Sequence, residues 1–310
     1  MLIINELIPL RFSSIRHQKL DDNMNSILGS DTLFSALCNV SLIAGKRNII
    51  EALCKGEIII SSLFPAFKSK LFLPKPILFY ETNLAQRKIF KKIRFFEVED
   101  FAEINNHLEI NHLKGLKVKN TFYPKNSQIS ISKYDSPQVV IDILQNGSMP
   151  FWEDYIVLEN DKSVYFLAEV KENLIKDWQV VVRLLAHEGI GGNRTIGHGI
   201  FKEAKFYSAE IKENRKDFFV NLSLTVPKNG ERDLLITYSL AKRGGGFVYQ
   251  LGGREIPKPF IFTVAEGSVF KKRIQGKIIP LNLSLKEPVY YNGFCFNIPL
   301  GSKLCRKEEL

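Results

Sequence analysis

Cysteine and histidine are scarce in this 310-residue chain. The four cysteines, Cys38, Cys54, Cys295 and Cys305, form no CxxC pair, and the five histidines are dispersed. Neither a disulfide framework nor a zinc site is written into such spacing. A chain of this length buries enough core to need no such staple, so reduced, intracellular thiols are expected. The opening MLIINELIPLRF has no basic leader ahead of an apolar run, and no apolar stretch approaches the roughly 18 residues that a membrane helix needs. The expectation is a soluble, cytoplasmic protein with no membrane partner, no cofactor and no metal.

Acidic charge is also in short supply. Lysine and arginine number 43 against 33 aspartates and glutamates, a formal charge of +10. The excess favours a polyanionic partner through steering and release of condensed cations, although a solubilising surface uses the same residues. The basic residues sit in scattered clusters, KSKLFLPK, QRKIFKKIR, HLKGLKVKN and VFKKRIQGK, rather than in a tail.

Apolar periodicity divides the chain. IINELIPLRF reads as an inner strand followed by a polar connection. In GSDTLFSALCNVSLIAGK the period changes: Leu33, Leu37, Val40 and Ala44 make a helical stripe that Phe34 and Cys38 widen. Ser30 is placed to cap this helix, with Asp31 in its first turn and Gly45 as its stop. A short helix near Ile49 to Cys54, two more at Leu84 to Lys92 and Phe101 to Leu108, and one from Glu172 to His187 follow. TFYPKNSQISISKYDSPQ reads as an extended insertion or hairpin, SVYFLAEV and IFKEAKFYSAEI as strands. Beyond a polar break at Lys212 to Asp217, FFVNLSLTV, DLLITYSL, GGFVYQL, KPFIFTVAEGSVF and FCFNIPL make a strand-rich succession. An α+β fold with two antiparallel sheet modules results.

Glycine is concentrated where the chemistry would be. GIGGNRTIGHGIFK, Gly189 to Lys202, lies between the last helix and a strand. Arg194 occupies the third glycine position of GxGxxG, the GK[ST] ending of a P-loop is missing, and a strand rather than a helix follows, so ATP and NAD lose their motif support. Two readings remain open: a shaped turn, or a cradle in which Gly191, Gly192 and Gly197 admit a phosphate-sugar backbone to which Arg194, Thr195 and His198 donate. LAKRGGGFVY poses the same choice, with Lys242 and Arg243 beside Gly244 and Gly245, and Phe247 and Tyr249 as a base-sized surface or as ordinary hairpin residues. Two basic-glycine loops together favour single-stranded RNA over duplex DNA. At the first helix, Asp31 opposes a phosphate unless it orients a basic residue.

Catalysis has weaker support. His17 or His198 could act as general base of a metal-independent ribonuclease, with Asp21, Asp22, Asp31 or Glu188 as partners, and His187–Glu188 lacks the second histidine of HExxH. No catalytic residue is assigned.

SDTLFSALCN, FLPKPI, GIGGNRTIGHGIF, YSLAKRGGGFVY, AEGSVF and NGFCFNIPL, in this order across nearly the whole chain, resemble the RAMP subunit that caps the crRNA five-prime end in type III-A (Csm) CRISPR interference complexes. The resemblance implies two ferredoxin-like, RRM-like domains, residues 1–212 with a charged insertion around 81–138, and residues 213–310. It implies a noncatalytic subunit holding the repeat-derived five-prime handle, with the large signalling subunit and the repeated RAMP backbone subunit as partners and target RNA as an indirect one. Carried over by residue, the handle contacts are Ser30, Asp31 and Thr32; Gly191, Gly192, Asn193, Arg194, Thr195, Gly197 and His198; and Lys242, Arg243, Gly244 and Gly245. The family's Arg-Thr-Gly hairpin tip is replaced by QISISKYDSP, leaving Lys133 as the thumb contact without arginine's planar donor fork. A CRISPR RNA-processing ribonuclease and a bridge with little direct RNA contact are the alternative readings.

Overall fold

The computed structural model describes residues 1–10, 12–17, 25–68, 70–78, 93–102, 121–122, 132–142, 147–159, 161–212, 218–244, 247–249, 255–281 and 288–310. Among them, the strands Leu2–Pro9, Lys162–Glu169, Phe64–Phe67 and Phe201–Lys212 form the heart of a nine-stranded antiparallel sheet. Leu2–Pro9 lies inside, flanked by Lys162–Glu169 and Phe201–Lys212. Helix α1 (Ser30–Ile43) and α2 (Arg47–Lys55) follow the first strand, α3 (Val98–Ala102) is a single short turn, and α4 (Ile175–Glu188) connects Lys162–Glu169 to Phe201–Lys212. The chain thus runs strand, helix, strand, strand, helix, strand, with the fourth strand beside the first and the third between first and second.

Lys162–Glu169 is apolar without alternation because both its faces are covered. Val164, Phe166 and Ala168 pack with Ile3 and Leu7 beneath Leu33, Leu37 and Val40 of α1, Ile49 and Leu53 of α2, and Trp178, Val181 and Leu185 of α4. Tyr165 and Leu167 point the other way, into a second core with Ile4, Phe64, Val220, Leu222, Phe296 and Ile298. Helices α1, α2 and α4 cover one face of the sheet, and the second segment together with α3 covers the other. That segment holds a four-stranded sheet of Leu235–Thr237, Val269–Phe270, Phe219–Asn221 and Asn297–Pro299, and several two-stranded ribbons. Its last strand, Lys303–Glu309, returns to the first sheet and pairs with Phe201–Lys212. Asn5 is fully buried at the centre: its amide donates to the Phe166 carbonyl and its oxygen accepts the Trp178 indole N–H at 2.8 Å, fastening α4 to the sheet.

Three sequence expectations change and one open choice is resolved. Ser30 does not cap α1: the cap position is Gly29, with no side-chain cap bond. The Ser30 hydroxyl instead accepts the Leu224 N–H at 2.9 Å, and the Ser30 N–H is satisfied by Ser62 Oγ at 2.9 Å, so a tertiary partner replaces the local one. The segment after the first strand is not wholly a polar connection: Phe12–His17 is a strand paired with Gly147–Glu159. FSSIRH has no local strand signal because its partner lies far along the chain. Of the two readings of the insertion near Pro137, the hairpin is the one formed, Ser132–Asp142 on Gly147–Glu159, where Pro137 sits on an edge strand that tolerates a missing N–H. The helix from Glu172 begins as a single 3-10 turn and becomes α-helical at Ile175. The Leu84 to Lys92 helix and most of Phe101 to Leu108 lie outside the described residues. No helix among the described residues is long and apolar enough to cross a membrane.

Candidate nucleic-acid interface

The glycine stretch is a loop closed at its base and shaped at its tip. Ile190 N–H donates to the Gly199 carbonyl at 3.0 Å, and the two legs touch backbone to backbone. A Cβ on Gly199, at φ +73°, would lie 2.0 Å from the Ile190 carbonyl oxygen, so this position admits only glycine. Gly199 is therefore architectural. Between the legs, Asn193 takes a left-handed conformation and Arg194–Ile196 forms a single 3-10 turn. Arg194, Thr195 and Gly197 are exposed on that turn, whereas Gly191, Gly192, Asn193 and His198 are half-buried.

Two of the half-buried members, Asn193 and His198, are tied to the hairpin. Asn193 Nδ2 donates to Glu153 Oε2 at 2.6 Å and to the Tyr155 hydroxyl at 2.7 Å, and that hydroxyl donates to Glu153 Oε2 at 2.6 Å. The His198 ring stacks on Tyr155 with centroids 4.3 Å apart and planes 29° from parallel. Glu153 and Tyr155 alternate along one strand and so share a face. The knot spends Asn193 and His198 on holding the loop to the hairpin base, and leaves Arg194 outside. Beyond the knot the hairpin carries exposed Met149, Phe151 and Trp152. Lys133 stands in its outer strand opposite Ile156, and His17 in its third strand opposite Asp154.

The second basic-glycine loop meets the start of α1. Arg243 Nε donates to Asp31 Oδ2 at 2.9 Å and Arg243 Nη2 to Oδ1 at 3.0 Å, a two-pronged ion pair that also reaches Thr32 Oγ1 at 3.4 Å. The Tyr291 hydroxyl donates to the same carboxylate at 2.9 Å. Burial is the largest single influence and lowers the Arg243 pKa, yet the charge and hydrogen bonds of Asp31 together with Tyr291 outweigh it and hold the guanidinium above its ordinary value. Burial first, then Asp31, raises the Tyr291 phenol. Asp31 therefore orients a basic residue, the condition under which its carboxylate ceases to repel an anion at the helix start. Behind it, Ser62 Oγ donates to the fully buried Glu266 at 2.5 Å, and burial pushes that carboxyl's pKa up. Lys242 lies over the Phe260 ring at 4.3 Å. Gly244 packs its bare backbone on its neighbours, since a Cβ there would meet the Pro259 carbonyl at 2.5 Å. Gly245 lies outside the described residues.

The sequence-predicted residues thus fall into a loop-hairpin group and an α1-ribbon group. Sequence reasoning missed Glu153, Tyr155, Ser62 and Tyr291. The first two were detectable only as alternate positions on an unrecognised strand, and Tyr291 carries no local signal.

A family model described as the CRISPR Csm4 C-terminal domain matches residues 214–300. The Csm4 protein of Thermococcus onnurineus is 29% identical over 293 residues, covering 89% of this chain and 91% of the relative. Those of Methanocaldococcus jannaschii and Mycobacterium tuberculosis are 25% and 28% identical, covering 82% and 84% of this chain and 81% and 86% of the relatives. Residues 214–300 carry the Csm4 C-terminal domain pattern, and the chain is similar to Csm4 proteins along most of its length. Its fold matches the crystal structure of a Csm3–Csm4 subcomplex of the type III-A interference complex, with a TM-score of 0.66 at 21% identity, over 97% of this chain and 99% of that one. It likewise matches a Csm1–Csm4 cassette bound to pppApA, with a TM-score of 0.62 at 22% identity and 97% of each chain covered. The Csm4 match thus spans both segments, and the C-terminal family model stops before Lys303–Glu309, the strand that rejoins the first sheet.

Proposed function

We propose that this chain is a noncatalytic crRNA-binding subunit that holds the repeat-derived five-prime handle and caps a type III-A CRISPR effector, bridging a Csm1-type large signalling subunit and a Csm3-type RAMP backbone subunit. A cytoplasmic location goes with that role. The bridging half is supported by the relatives, whose solved structures pair Csm4 with Csm3 in one case and with Csm1 in others. The RNA-binding half is carried by one observation: the glycine loop is rigidly closed at its base yet presents Arg194 outward on a 3-10 turn. A guanidinium held clear of the fold on a preorganised turn is suited to phosphate, which fixes the strand's register.

In this reading Arg194, Thr195 and Gly197 touch the handle, while Asn193 and His198 set the loop against the hairpin. The hairpin of Ser132–Asp142 and Gly147–Glu159 is the thumb, with Lys133 near its base. Ser30, Asp31, Thr32 and Lys242 border the same RNA, and Arg243 and Gly244 shape that border. Residues 1–212 make one ferredoxin-like domain, for which the strand order of the first sheet is the support. Residues 213–310 make the second, although their described residues contain strands and a 3-10 turn but no α-helix.

The test is handle binding by the reconstituted complex at one fixed salt concentration. Arg194→Ala should weaken it about tenfold and flatten its salt dependence by about one unit of slope. Lys171→Ala, at the opposite end of the sheet and paired with Glu57, should leave it unchanged. Equal affinity of Arg194→Ala and parent, with crosslinks missing from both glycine loops, would favour the bridge without RNA contact. Specific cleavage of a repeat RNA by the purified chain would favour the nuclease.

A further inference from the structure

The ribbon formed by Leu240–Arg243 and Ile261–Val264 has two faces of opposite character. One is bonded to α1 through Arg243 and Asp31. On the other, residues of one parity stand in water: Tyr238 is 54% exposed, Leu240 60%, Phe260 62% and Phe262 64%. Lys242 pairs directly across from Phe262 and places its ammonium over the Phe260 ring. Large aromatics concentrated on one open face mark a binding surface rather than scattered exposure.

We infer that this face is a stacking platform for unpaired RNA bases, with Phe260 and Phe262 as its rings and Lys242 as its phosphate contact. The inference rests on the RNA-binding reading above and extends it from phosphate positioning to base contact. Three observations select RNA. From Leu240 to Gly244 and from Lys258 to Val264 the charged residues are Lys242, Arg243 and Lys258, with no acid among them. Arg243 fixes the same ribbon, by its opposite face, to the Asp31–Thr32 group at the start of α1, which the handle reading also places beside RNA. The platform is also preorganised, because Gly244 packs against Pro259 and the Phe260 backbone and so fixes where that ring stands. Every base offers a π-face, so such a platform tolerates sequence and requires a single strand.

The full-length chain is titrated with a single-stranded adenylate oligomer of about ten nucleotides and with duplex RNA of the same length. Phe262→Ala should lower single-strand affinity about 5- to 150-fold with the salt slope unchanged, and leave duplex affinity as it is. Phe262→Trp should keep the affinity, and its indole emission should fall as RNA is added. Phe260→Ala is the second variant, and both positions are exposed enough that the melting temperature should hold. Parent-like single-strand affinity in both alanine variants, with Arg194→Ala weakened, overturns the platform and leaves the handle reading standing. The same result with loss of co-assembly with the Csm1-type or Csm3-type subunit assigns the face to a protein instead. Parent-like affinity in all three variants overturns both readings.

Discussion

The two basic-glycine loops both set an arginine beside glycines, in opposite arrangements. In the first, Arg194 stands outside on a 3-10 turn while the neighbouring Asn193 and His198 are bound to Glu153 and Tyr155. In the second, Arg243 is turned inward onto Asp31 and Tyr291, and it is Lys242 and the aromatics that face water. An arginine beside glycines is a ligand contact in one setting and a strut in the other. What separates them is whether a carboxylate from a distant element meets the guanidinium.

The contrast predicts effects of descending size on stability. Arg243→Ala should cost most, about 2–4 kcal/mol in urea unfolding, because it strands the largely buried Asp31 carboxylate. Asp31→Ala combined with Arg243→Ala should recover part of that loss, and strictly additive losses would show that the pair is not coupled. Gly199→Ala comes next, at more than about 1 kcal/mol, because the new Cβ forces the legs of the first loop apart. Its handle affinity should fall with it, whereas intact binding would mean that the loop's closure is irrelevant to Arg194. Arg194→Ala should change stability by no more than about 0.5 kcal/mol, and a larger loss in the same unfolding assay would erase the distinction between the two arginines.

The smallest effect is one of pH. Burial raises the Glu266 pKa in the folded chain above its unfolded value, so the folded state binds the proton more tightly. Its contribution is most favourable below the unfolded carboxyl range and is lost as pH rises through the raised folded value. Glu266→Gln should therefore gain stability relative to the parent as pH rises across that window, and a pH-independent difference in melting temperature would contradict the assignment.

The α1 stripe, the α4 face and the doubly buried Lys162–Glu169 strand were legible because burial on a helix or sheet imposes a period that survives in one dimension. The Gly189 to Lys202 loop was recognisable as a special turn, since glycine density is itself a backbone statement. Phe12–His17 and Gly147–Glu159 were not recognisable as strands, because their pairing rests on register with a distant segment and their composition is polar or interrupted by proline. Ser30 looked like a cap because caps are local, and it lost that role to Leu224 and Ser62, which no local pattern could bring near.

The sequence by itself determined the chain's charge, its two-segment rhythm, its core-facing stripes, and the order of motifs that carries the family resemblance. Each of these is a property of residue type and spacing. Only the tertiary structure decided which arginine is free and which is spent, and which glycines are steric necessities. It alone also set one face of a short ribbon toward water with its aromatics bare. Those outcomes depend on contacts between elements tens to hundreds of residues apart, and no spacing within a single stretch encodes them.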